Sequence, residues 1–102
     1  MSEPIASLSD LFSGPAFFHV TLFPADGVRR REVTETFDKA LDWYSYADNC
    51  WVIYTTGNEE VWTKRLEKLT RPDGSVLVLK FRPEDAQGWM DKDFWKWLKK
   101  AR

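Results

Sequence analysis

The chain has 102 residues, 43% of them hydrophobic, 30% charged and 16% aromatic with six Trp, and a net charge of -1. That length bounds it to one domain with a single core, and the near-neutral balance excludes a polyanion binder that works by bulk charge. Its single cysteine, Cys50, excludes an intramolecular disulfide and a thiolate zinc cluster, and with no apolar run of membrane-spanning length the expected setting is cytoplasmic.

Residues 1–15 mix Ser, Pro and Gly with Ile5, Leu8, Leu11 and Phe12, and read as a partly flexible arm with one short docked turn between Ser7 and Phe12. The folded domain is expected over residues 16–102. Phe17 to Phe23 is the first strand, stopped by Pro24 and the Asp26-Gly27 turn. Strand alternation puts Phe18, Val20 and Leu22 on the core face, and His19, Thr21 and Phe23 on the other.

A helical pattern follows, with Val33, Phe37, Ala40, Leu41 and Tyr44 at three- and four-residue spacing. Arg29, Arg30 and Arg31 crowd its start, where cations oppose the macrodipole; they are either a solvated corner or a contact for nucleic acid. Residues 43–47 read as a strand turning at Asp48-Asn49 into Cys50 to Thr56, a run apolar on both alternate sets until Thr55. Asn58 caps the next helix, Glu59 and Glu60 fill its first turn, and Pro72-Asp73-Gly74 stops it.

Ser75 to Phe81 is the last strand. A closing amphipathic helix is expected over 89–102, with Met90, Phe94, Trp97 and Leu98 on its apolar stripe and Trp95 beside it. The order βαββαβ predicts an α+β, ferredoxin-like sandwich: a four-stranded antiparallel sheet with two helices on one face, plus the C-terminal helix. A three-stranded βαβαβ plan, with 43–47 as loop, is the rival.

The chain resembles the short bacterial proteins called SinR-like, relatives of the second CRISPR-associated adaptation protein. The resemblance rests on Phe18-His19-Val20-Thr21-Leu22-Phe23, on Asp48 to Thr55, on the second helix, on Val76-Leu77-Val78-Leu79, and on Gly88-Trp89 with Trp97-Leu98. It implies a ferredoxin-like protomer that pairs into a homodimer. In the CRISPR-associated family an Asp ending the first strand is proposed to hold a divalent metal for phosphodiester cleavage. The matching position is Phe23, which offers no oxygen ligand, and Asp26 is the nearby carboxylate that could replace it as a catalytic residue.

His19 is the only histidine, so a Cys-His scheme would have to join it to Cys50, with no recognisable oxyanion hole. No glycine-rich phosphate loop, metal-ligand cluster or cofactor motif is present. The face opposite the helices is expected to carry His19, Thr21, Phe23, Trp51, Ile53 and Thr55, with Val76, Val78 and Lys80 or their neighbours. That surface is too apolar to be left wet. Its occupant is the C-terminal helix, the arm, a second protomer or stacked nucleobases. Lys92, Lys96, Lys99 and Lys100 supply charges for phosphates. The sequence therefore points to a non-catalytic interaction or scaffolding module that self-associates or takes a protein partner, without cofactor or metal. A metal-dependent nuclease and a single-stranded nucleic-acid binder are the alternatives.

Overall fold

The computed structural model describes residues 14–102. The expected turn between Ser7 and Phe12 lies outside them. Four strands, β1 (Ala16–Phe23), β2 (Asp42–Ala47), β3 (Cys50–Thr55) and β4 (Ser75–Phe81), form one antiparallel sheet in the order β2-β3-β1-β4. Helices α1 (Arg30–Phe37) and α2 (Glu59–Glu67) cover one face, and a third, α3 (Lys92–Lys99), lies on the other. The fold is α+β with the ferredoxin-like strand order. Because β2 pairs along β3, the three-stranded plan is excluded.

The core between the sheet and α1–α2 is built on β1 as expected: Phe18, Val20 and Leu22 are buried. From α1 come Val33 and Phe37, and from α2 come Trp62 and Leu66. The Phe37 ring stacks on Trp51 at 4.5 Å and on Trp62 at 6.1 Å between centroids. The buried Trp62 indole N–H donates to Thr55 Oγ1 at 3.0 Å, so this polar atom of the stack is satisfied.

That stack reverses the expected faces of β3. Antiparallel partners share a face, and Phe18 pairs with Ile53 while Val20 pairs with Trp51. Trp51, Ile53 and Thr55 therefore lie in the helix-covered core, and Cys50, Val52 and Tyr54 on the second face. The same correction applies to β4, whose exposed-intermediate alternation turns Val76 and Val78 toward the helices and leaves Leu77 and Leu79 outward.

Two helices are shorter than their periodicity suggests. α1 ends at Phe37 because Lys39 and Ala40 form a tight turn, and the Leu41 N–H donates to the Tyr54 carbonyl, committing the chain to the sheet. Tyr44 thereby becomes a β2 residue. α3 starts after Asp91, not at residue 89, and ends at Lys99. α2 matches its signals, since Asn58 Oδ1 accepts from the Val61 N–H at 2.9 Å. Gly74 carries a steric requirement: a Cβ there would fall 2.1 Å from the Phe23 carbonyl oxygen, where the turn before β4 crosses the end of β1.

Trp51→Ala should cost about 3–5 kcal/mol, the usual loss for a large buried aromatic ring. Urea unfolding followed by far-UV circular dichroism checks this. A fall in midpoint at unchanged slope is the expected outcome.

Candidate functional site

The second face of the sheet collects the chemistry. From β1 it receives Phe17, His19, Thr21 and Phe23; from β2, Tyr44; from β3, Cys50, Val52 and Tyr54; and from β4, Leu77, Leu79 and Phe81. α3 covers β2, β3 and the Phe17 end of β1. Its Phe94 and Leu98 bury Val52, and Phe94 and Trp97 meet Tyr44 at 5.7 and 5.8 Å between ring centroids.

An ionic clamp holds the end of α3. Asp42, opening β2, takes Lys100 Nζ and Arg102 Nη2, each at 3.1 Å. The Arg102 guanidinium lies 4.6–5.1 Å from the centroids of Phe17, Tyr54 and Trp97, an aromatic cage. Partial burial alone would raise the Asp42 pKa. Hydrogen bonding from Lys100, Trp97, the Trp43 amide and Arg102 outweighs it and leaves the carboxyl below 3.8. The Trp97 indole N–H contributes by proximity, since it is buried without a partner in good hydrogen-bond geometry.

A polar pair interrupts the apolar face. β2 and β3 lose register between Ser45 and Ala47, and this bulge carries Tyr46, whose hydroxyl meets His19 Nε2 at 2.5 Å. Burial lowers the His19 pKa. Burial and the neighbouring Cys50 thiol push the Tyr46 phenol up to about 12. Both side chains are therefore uncharged at neutral pH.

Beyond this pair, over β1 and β4, the face is open. Phe23, Leu77 and Leu79 are 50, 55 and 52% exposed. In the connection to α3, Trp89 is fully exposed, and Trp95 is half-buried with Lys99 Nζ 5.5 Å from its ring.

Of the residues singled out by sequence, His19, Thr21 and Phe23 are brought together on this face. Trp51, Ile53 and Thr55 are on the opposite one, buried, and belong to the core. Arg29, Arg30 and Arg31 sit at the start of α1, on the other side of the sheet from the lysines of α3. Glu32 lies 3.7 Å from Arg29, Glu35 lies 3.8 Å from Arg31, and Arg30 lies over the Trp51 ring at 6.0 Å. Lys100 is taken by Asp42, whereas Lys92, Lys96 and Lys99 have no carboxylate partner among the described residues. Asp26 is exposed in the turn after β1, its amide 3.2 Å from Asp73 Oδ1. Among the described residues no three His, Cys, Asp or Glu side chains gather as a metal site.

Sequence reasoning missed Tyr46, the Asp42 clamp and the Leu77–Leu79 strip. Alternation groups Leu77 with Leu79 on one β4 face but does not say whether that face is the outward one. The lack of a Gly in the Asp48-Asn49 turn allows a bulged connection but does not place Tyr46 in it. Compared with family models, curated proteins and solved structures, the chain matches none of them. No helix among the described residues is long and apolar enough to cross a membrane.

Two titrations give the clamp and the pair measurable signatures. The His19 pKa is depressed by folding, so its contribution to stability is complete above 6.5 and is lost as pH falls through the lower folded value. The urea midpoint should decline from pH 7 toward pH 5, and His19→Gln should flatten that slope. Asp42→Asn should weaken α3 docking by about 1–2 kcal/mol. Hydrogen exchange should then be faster in α3 and unchanged in α1 and α2. Because the Asp42 pKa is lowered, the wild-type clamp holds above pH 3.8 and should release as pH falls through the still lower folded value.

Proposed function

We propose that this protein is a non-catalytic interaction module that self-associates through the open half of its second sheet face. The observation that carries this reading is the strip of Phe23, Leu77 and Leu79, each about half exposed on adjacent strands. Three large apolar side chains at that exposure in so small a domain favour burial by a partner. A second copy is the partner because the strip, with Thr21 between Phe23 and Leu77, carries no charge. Isologous contact therefore brings no like charges together. Two such sheets pack face to face, with α3 of each copy bounding the contact.

A second reading rests on a separate surface. Lys92, Lys96 and Lys99 stand at i, i+4 and i+7 of α3 around Trp95, and the fully exposed Trp89 precedes them. Flat aromatic rings between cations are the chemistry of single-stranded nucleic-acid binding, in which bases stack and phosphates pair. The nearby Asp91 and Asp93 carboxylates limit its strength. For the nuclease implied by the family resemblance, Asp26 would need metal ligands beyond Asp73, and Phe23 supplies none.

Light scattering across a concentration series tests the first reading. The wild type should pass from monomer to dimer, and Leu77→Glu should stay monomeric with an unchanged circular dichroism spectrum. A wild type that remains monomeric overturns it. For the second reading, fluorescence anisotropy with a labelled oligothymidine should show binding whose log affinity falls with log salt at a slope of about -2, three phosphates' worth. Trp89→Ala should weaken that binding roughly 5- to 100-fold.

A further inference from the structure

We propose that the groove between the second sheet face and the connection leading into α3 is a binding site for a small, uncharged aromatic molecule with an amide-like edge. The groove is open to solvent, has a volume of about 560 Å³, within the usual range for small-molecule sites, and reaches the His19–Tyr46 pair. Its apolar walls come from separate elements: Val52 and Leu79 from the sheet, Phe94 and Trp95 from α3, and Met90 from the connection. Aromatic edges and a thioether around such a space favour a flat ring.

The ligand's polar edge follows from the pair's hydrogen-bond inventory. If Tyr46 donates to Nε2, the imidazole keeps an Nδ1–H donor and the phenol keeps oxygen lone pairs. If Nε2–H donates to Tyr46, the imidazole keeps an acceptor and the phenol its O–H. Either way the pair retains one donor and one acceptor. A group presenting a carbonyl beside an N–H is complementary to both. Charge is selected against, because the lowered His19 pKa and the raised Tyr46 pKa leave both groups neutral at pH 7. An anion there would give up hydration without meeting a cation from the pair. At the rim, Asp85 is already paired with Arg82 at 2.9 Å, and Lys80 is exposed to solvent.

Benzamide and benzoate are near-isosteric and differ in charge and donor, so they separate these terms. Each is titrated into the ¹⁵N-labelled protein at pH 7, following the Trp95 indole and His19 ring nitrogens. Benzamide should shift both sets with a Kd on the order of millimolar, the scale for a ligand of so few atoms, and benzoate should bind about tenfold more weakly. Tyr46→Phe should cost benzamide about fivefold, and Ala86→Trp, which fills the groove from the connection, should abolish the shifts. Equal binding of benzoate, shifts confined to other surfaces, or no response to Tyr46→Phe in a protein with native circular dichroism would overturn the proposal. The titrations are repeated on Leu77→Glu, because binding seen in that variant alone would mean that self-association closes the groove, and absence in both would mean there is no site.

Discussion

The stacked rings of Trp51, Phe37 and Trp62 are the constraint on which the rest of the molecule depends. β3 is apolar on both alternate sets, so polarity alone gives it no inside. What decides its orientation is volume. A Trp–Phe–Trp stack fills the space between the sheet and two short helices, and Thr55 accepts the Trp62 N–H buried in it. With Trp51 inward, Ile53 follows inward, and Val52 and Tyr54 must face the other way. The second sheet face, with its aromatic character, is a consequence of how the first is packed.

That second face holds more apolar surface than one eight-residue helix can cover. α3 is too short to be stable in isolation, since nucleating a helix is unfavourable and few hydrogen bonds follow. It stays because Phe94 and Leu98 are buried and because Asp42 grips Lys100 and Arg102 beyond its end. The consequence is a face with three regions of different chemistry: a sealed aromatic region under α3, a groove bordered by the connection and marked by a neutral His–Tyr pair, and an open strip of Phe23, Leu77 and Leu79. A ligand in the groove therefore meets α3, a helix whose far end is held by the Asp42 clamp.

Much of this was legible in the sequence. Pro24 and the Asp26-Gly27 turn fixed the end of β1, whose polar His19 and Thr21 on one alternate set gave its phase correctly. Asn58 with Glu59 and Glu60 announced α2, and Asp48-Asn49 the hairpin. The failures share a physical cause. Where both phases of a strand are apolar, as in β3 and β4, side-chain alternation carries no sign, and the sign comes from tertiary packing. Where a helical period runs on past Phe37, sheet pairing through Leu41 and Tyr54 overrides it. The candidate site was half legible for the same reason: its β1 residues lie on the expected face, its β3 residues were those of the opposite face, and Tyr46 owes its place to a bulge.

The arginine cluster at the start of α1 shows how a local electrostatic conflict is relieved within the helix itself. Three cations at a helix N-terminus oppose its dipole, which from sequence alone leaves a solvated corner or a nucleic-acid contact. Glu32 returns a carboxylate to the first turn beside Arg29, Glu35 lies one turn on against Arg31, and Arg30 covers the edge of the aromatic stack. The His19–Tyr46 pair is a different case. Each side chain is partly desolvated and the face around it is apolar, so an aliphatic pair would satisfy packing at lower cost. Unlike the arginines, the pair satisfies no cap and closes no ion pair; it keeps a donor and an acceptor at the one point where the sheet, α3 and the connection meet.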